Sequence, residues 1–113
     1  MVSSVDRTLA ALAEPTRRGV IDLLRDSPRR ASEIADGLQM TRPAMSRHLR
    51  VLRRAGLVSE DTLEDDARAR VYTLEHQPFI ELRDWLDEVE AFWGEQLEAF
   101  KDHAERTAAE RRR

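Results

Sequence analysis

Apolar positions first recur at the three- or four-residue spacing of amphipathic helices, then alternate, then return to helical spacing. Residues 5–13 put Val5, Leu9 and Leu12 on one helical face, with Asp6 near the start, where an acid complements the helix dipole. Glu14-Pro15 interrupts this helix, because the residue before a proline is pushed out of the helical region. A second helix opens at Pro15 and carries Val20, Ile21 and Leu24 on its inner side. Residues 27–30, Ser-Pro-Arg-Arg, read as a connecting loop. A third helix follows, capped by Ser32, with Ile34, Ala35 and Leu38 at helical spacing and Gly37 near its end. Thr41 caps a fourth, Pro43 suits its first turn, and Gly56 closes it. Two short capped helices joined by a tight turn over 32–56 predict a helix-turn-helix.

After Gly56 the period shortens towards two. Residues 57–63 make a plausible strand, and 69–74 a better one, since Val, Tyr and Thr favour sheets. The polar stretch 64–68 between them is turn-like, so the pair predicts a hairpin, a wing, over 57–75. From Pro78 onward one long helix carries Leu82, Leu86, Val89, Trp93, Leu97 and Phe100 on a stripe. Trp85 and Phe92 widen that stripe to roughly 140° of arc. A stripe so broad exceeds what one small domain needs to seat a terminal helix. It predicts a dimerisation helix over 78–105, buried against its symmetry mate; the competing reading is core within one chain. The opposite face is acidic, with Asp84, Asp87, Glu88, Glu95 and Asp102. The tail 106–113 is expected to fray and to be solvated, with non-specific DNA contact as the other reading of its arginines.

Charge singles out the fourth helix. At about 100° per residue, Met45, Leu49 and Leu52 form its apolar stripe. Pro43, Arg47, Arg50 and Arg54 project from the other side, with Ser46 and Arg53 on a flank. No Asp or Glu occurs from Thr41 to Gly56, although the 113-residue chain carries net charge −3. The positive charge is local. A short capped basic helix fits the major groove of DNA, where arginine pairs bidentately with guanine; the plain alternative is a solvated face. Arg68 and Arg70 are candidate phosphate or minor-groove contacts on the wing, which otherwise only covers the core. Asp65 and Asp66 at its tip would repel phosphate.

Composition narrows the options. Hydrophobic residues make up 41% and charged residues 36%, which suits one modest domain over 1–113 that completes its core by pairing. The absence of cysteine excludes disulfides and thiolate metal sites. No apolar run approaches the ~20 residues of a membrane span. The first residues lack the apolar core of a secretory signal, so a soluble, cytoplasmic protein is expected. His48, His76 and His103 have no evident nucleophile or carboxylate constellation, and no glycine-rich phosphate loop exists, so no enzyme is expected.

Three segments together resemble a family. Residues 12–24 (Leu-Ala-Glu-Pro-Thr-Arg-Arg-Gly-Val-Ile-Asp-Leu-Leu), 42–58 (Arg-Pro-Ala-Met-Ser-Arg-His-Leu-Arg-Val-Leu-Arg-Arg-Ala-Gly-Leu-Val) and 67–74 (Ala-Arg-Ala-Arg-Val-Tyr-Thr-Leu) are similar to the opening, recognition helix and wing of ArsR/SmtB-type winged helix-turn-helix repressors. The resemblance implies a homodimeric repressor acting on a palindromic operator, with an interface built from the first and last helices. The fold expected is mainly α with a small β-hairpin wing. Where metal sensors of the family carry a Cys-x-Cys pair, this chain reads Ser32-Glu33-Ile34-Ala35. Its last helix offers only His103 beside Asp102 and Glu105, so the resemblance is to the metal-independent branch, with no metal and no cofactor expected.

The expected DNA contacts are Arg42, Ser46, Arg47 and Arg50 at the groove, near the helix N-terminus. Pro43 stands on the same side, Arg54 is assigned to phosphate, and Thr41 caps while offering its hydroxyl. His48 stands open between core packing and a phosphate contact, which the resemblance slightly favours. Arg17 and Arg18 reach either phosphates or, as the safer reading, local acids. The rival to DNA binding is a winged helix that docks another protein, but such a face more often carries exposed apolar anchors.

Overall fold

The computed structural model describes residues 2–63 and 66–112; for residues 63 and 66–69 it describes the backbone alone. The order is α1 (Ser4–Leu12), α2 (Pro15–Leu24), β1 (Arg29–Arg30), α3 (Ala31–Gly37), α4 (Arg42–Arg54), β2 (Val58–Leu63), β3 (Asp66–Leu74) and α5 (Gln77–Arg111). This is a mainly helical chain with a three-stranded antiparallel sheet, ordered β1-β3-β2. Residues divide into two compact units, Met1–Leu82 and Arg83–Arg113. The second unit is helix from Arg83 to Arg111.

The core lies in the first unit. Val20, Ile21 and Leu24 of α2, Ile34 and Ala35 of α3, and Met45, Leu49 and Leu52 of α4 are buried together with Ala11, Leu57 and Val58. The helical spacing read from the sequence selected the inner faces of α2, α3 and α4. It did not for α1, where Thr8 and Ala11 are buried and Leu9 is 43% exposed. Small side chains let α1 sit close to the core, which turns its Val5–Leu9 edge outward. Its cap is a reciprocal pair: Ser3 Oγ accepts from the Asp6 N–H at 3.1 Å, and Asp6 accepts from the Ser3 N–H at 3.0 Å. The Ser3 N–H and then its hydroxyl hold the Asp6 carboxyl below the usual carboxylate range.

Residues 27–30 do more than connect. Arg29 and Arg30 pair with Tyr72 and Val71 as β1, a strand too short for alternation to reveal. Because pairing runs to Arg30, α3 begins at Ala31, and Ser32 lies inside the helix instead of capping it. The Glu33 carboxylate accepts the Arg30 N–H at 3.3 Å in its place.

The same backbone lock closes both helices of the helix-turn-helix. After α4, the Gly56 N–H bonds Arg53 O and the Leu57 N–H bonds Leu52 O, each at 3.0 Å. After α3, the Gln39 N–H bonds Asp36 O at 3.2 Å and the Met40 N–H bonds Ala35 O at 2.9 Å. Both locks need a left-handed residue: Gly56 supplies φ 78°, but Gln39, not Gly37, supplies φ 54°. Gln39→Gly is therefore expected to stabilise the fold by roughly 0.5–1 kcal/mol, because only glycine occupies this region without a Cβ penalty. A thermal melt showing a lower midpoint would contradict it.

The second strand of the hairpin is longer than its sequence suggests. β2 is Val58–Leu63, and β3 starts at Asp66 rather than 69, with a register shift between Thr62 and Leu63. Residues 64 and 65, and the Asp66 side chain expected at the tip, lie outside the described residues. Leu57 is fully buried before β2 begins, and its carbonyl accepts the Glu75 N–H at 2.9 Å. The last helix runs Gln77–Arg111, beyond the 78–105 expected, so the tail that was expected to fray is helical as far as Arg111.

Candidate nucleic-acid interface

Thr41 and Pro43 set the start of α4 as the sequence predicts. Thr41 Oγ1 accepts the Ala44 N–H at 3.3 Å, and proline in the first turn lacks only an N–H that had no partner there. The inner stripe is dry: Met45, Leu49 and Leu52 are each 2% exposed or less. This fixes the rotation of the helix, and rotation fixes what faces water. Arg42, Pro43, Ser46, Arg47, Arg50 and Arg54 are all exposed. Among the described residues, Arg42, Arg47, Arg50 and Arg54 make no ion pair. No acid of α4 opposes them.

His48 is different. Its side chain is 22% exposed, and Nδ1 lies 3.5 Å from Arg17 Nη1 and 3.7 Å from Glu14 Oε2. One ring nitrogen is thus held towards the start of α2. Glu14 caps α2 through Arg17 N–H at 3.1 Å. Burial would raise its carboxyl, but the Thr16 and Arg17 N–H groups outweigh burial and hold it below the usual range.

Arg17 and Arg18 pair with backbone carbonyls, and among the described residues neither forms an ion pair with a local acid. Arg17 Nε donates to Ala11 O at 2.5 Å, and Arg18 Nη1 donates to Leu12 O at 2.7 Å. Carbonyls at the end of α1 have no helical partner of their own, so they attract these guanidiniums more directly than any local acid.

On the wing, Arg70 is 64% exposed and donates to Glu60 Oε1 at 2.6 Å. The side chain of Arg68 lies outside the described residues. Sequence reasoning missed Glu60 itself. It stands on β2 opposite Tyr72 of β3, its side chain is 11% exposed, and it also pairs with Arg53 of α4. Burial first, and then the Glu60 carboxylate, push the Tyr72 phenol up. The signal that marks it is an acid directly across from a tyrosine, two residues along from an arginine on the same strand face.

The residues expected at a dimer interface fall into two groups. Val5, Leu12, Leu82 and Val89 are half-buried, and Leu12 packs against the core of its own chain. Leu9, Trp85, Leu86, Phe92, Trp93, Leu97 and Phe100 are exposed. No residue of α5 is buried. Among the described residues no three His, Asp or Glu side chains gather as a metal site requires. No described helix is long and apolar enough to cross a membrane.

The fold and its basic helix define a winged helix-turn-helix regulator as a class, and comparison with known proteins narrows it. Residues 14–60 match the family described as "Bacterial regulatory protein, arsR family". The chain is 37% identical over 97 residues to the HTH-type transcriptional regulator Rv2034 of Mycobacterium tuberculosis, spanning 86% of this chain and 85% of that one. It is 32% identical over 56 residues to the transcriptional repressor SdpR of Bacillus subtilis, spanning 50% of this chain and 62% of that one. The crystal structure of the ArsR family transcriptional regulator RHA00566 superposes with a TM-score of 0.73 at 29% identity, over 81% of this chain and 98% of its own. An ArsR-like transcriptional regulator from Rhodococcus sp. RHA1 gives 0.73 at 26% identity, over 88% and 91%. The chain belongs to the arsR family of bacterial regulatory proteins. It is a DNA-binding transcriptional regulator.

Proposed function

We propose that the chain is a homodimeric repressor that places α4 of each protomer in the major groove of a palindromic operator. The observation that carries this reading is the face of α4 itself: Arg42, Arg47, Arg50 and Arg54 are exposed and without carboxylate partners among the described residues, backed by a buried Met45, Leu49 and Leu52 stripe. In this reading residues 1–113 form one winged helix-turn-helix protomer. Arg42, Ser46, Arg47 and Arg50 reach base edges or groove walls, Arg54 and the Thr41 hydroxyl take phosphate, and Pro43 lines the approach. His48 orients α4 against α2 and turns its remaining nitrogen to the backbone. Arg68 and Arg70 lie on the wing side of the groove. The exposed stripe of α5 pairs with its symmetry mate, joined by the Val5–Leu9 edge of α1. Pairing sets the two recognition helices about one turn of DNA apart.

The test is a footprint on DNA upstream of the protein's own gene, at stated salt, followed by Arg47→Ala. Loss of Arg47 is expected to cost ~1–3 kcal/mol on the footprinted site and to relax specificity, because a base-reading arginine contributes that much. Equal binding of operator and random duplex by both proteins would remove Arg47 from the readout. A flat response to salt would sink the DNA reading as a whole, since phosphate contacts release counterions.

A further inference from the structure

Glu60 is the acid that breaks the pattern of this surface. Every arginine at the outer face of α4 except Arg53 lacks an ion-pair partner among the described residues. Arg53 stands in the last turn of α4, at 57% side-chain exposure, and its Nη1 pairs with Glu60 Oε2. The other oxygen, Oε1, accepts from Arg70 of β3 at 2.6 Å. One carboxylate therefore joins the end of the recognition helix to the wing, using both of its oxygens. The two cations stand largely in water while the anion between them is 11% exposed, so the bridge is anchored from within the protein. Its position is set by pairing: Glu60 faces Tyr72 across β2 and β3, and Arg70 lies two residues before Tyr72 on the same face.

We propose that Glu60 is a specificity-determining positioning residue, whose carboxylate fixes the wing against the recognition helix and withholds Arg53 and Arg70 from DNA phosphates. This rests on α4 and the wing forming the DNA face. A phosphate contact carries no sequence information, so two more of them would raise affinity for any duplex alike. Holding two exposed cations on an internal carboxylate removes that indiscriminate attraction and keeps the helix-to-wing geometry rigid. The arginines of α4 that lack such a partner then dominate the readout.

The experiment measures binding of the full chain to two probes across a salt series. One is a duplex selected by the wild-type protein from a randomised pool, and the other is a scrambled duplex of equal length. Glu60→Gln keeps the side-chain shape and removes the charge. It is expected to steepen the slope of log affinity against log salt by ~0.9 for each arginine released, up to ~1.8. At low salt, binding to the scrambled duplex is expected to rise about tenfold, while the selected duplex gains less because its wing is no longer held against α4, so the selected-to-scrambled ratio is expected to fall severalfold. Arg53→Gln in the presence of Glu60 is the second variant. Its slope is expected to match wild type, because the arginine removed was not neutralising phosphate. Either a Glu60→Gln protein that melts cooperatively with an unchanged slope and ratio, or an Arg53→Gln slope flatter by ~0.9, would overturn the proposal. A wild-type protein that binds neither probe would instead strike the DNA reading itself, so the two failures are distinguishable.

Discussion

Replacing Trp93 and Leu97 together with glutamate is expected to leave a monomer at micromolar concentration and to weaken binding to a two-half-site duplex by ~10²–10⁴-fold. The two side chains are four residues apart, hence on one stripe of α5, and are 59% and 62% exposed. Phe92 and Phe100 extend that stripe at 59% and 72%. A contiguous apolar surface of this kind marks an interaction site, because leaving it in water forgoes the burial each aromatic offers. Carboxylates placed there would have to be desolvated without partners on pairing. Each protomer would still carry an intact core, since the buried cluster runs from Ala11 to Val58 and includes no residue of α5. Size-exclusion chromatography with light scattering reads the first effect, and anisotropy on one-site and two-site duplexes reads the second. The isolated half-site should be bound as before, because only the tether between two sites is lost. A wild-type monomer at micromolar concentration, or a variant that remains a dimer, would end the assignment of α5.

Where a side chain needed only its own helix to be placed, the sequence sufficed. The inner stripe of α4, its Thr41 cap, its Pro43 start and its Gly56 stop follow from period and cap chemistry within sixteen residues. The buried faces of α2 and α3 follow in the same way. Local rules failed wherever a distant strand intervened. Ser32 is a good cap by type, yet β1 pairs Arg29 and Arg30 with Tyr72 and Val71 of β3, far along the chain, and moves the start of α3 to Ala31. Gln39 takes the left-handed position because the turn into Met40 requires one, whatever residue stands there. At the site, exposed arginines were legible from the acid-free run, whereas the tie of Arg53 and Arg70 to Glu60 depends on strand register. The carbonyl partners of Arg17 and Arg18 are hidden for a related reason: unpartnered carbonyls at the end of α1 have no signature in a count of acids.

Leu52→Ala is expected to destabilise the fold by ~2–5 kcal/mol while leaving the DNA contacts of the folded protein unchanged. Leu52 is fully buried, at 0% exposure, among residues of α2, α3 and α4. Truncation loses its transfer energy and leaves a cavity that a packed core closes only in part. Its carbonyl, which receives the Leu57 N–H and so helps to seat Gly56, is retained by alanine, and so is helical propensity. Against a total stability of ~5–15 kcal/mol, such a loss should appear as a large fall in the melting midpoint at fixed protein concentration. Well below that midpoint the salt slope and the selected-to-scrambled ratio should equal wild type, because the arginines lie on the opposite side of the same helix. Arg47→Ala should show the converse, a melt near wild type with the ratio reduced. One helix thus has an inner face that sets stability and an outer face that sets recognition, and the two variants separate them. A Leu52→Ala protein that keeps its melting midpoint but loses the selected duplex would show instead that the two faces are not independent.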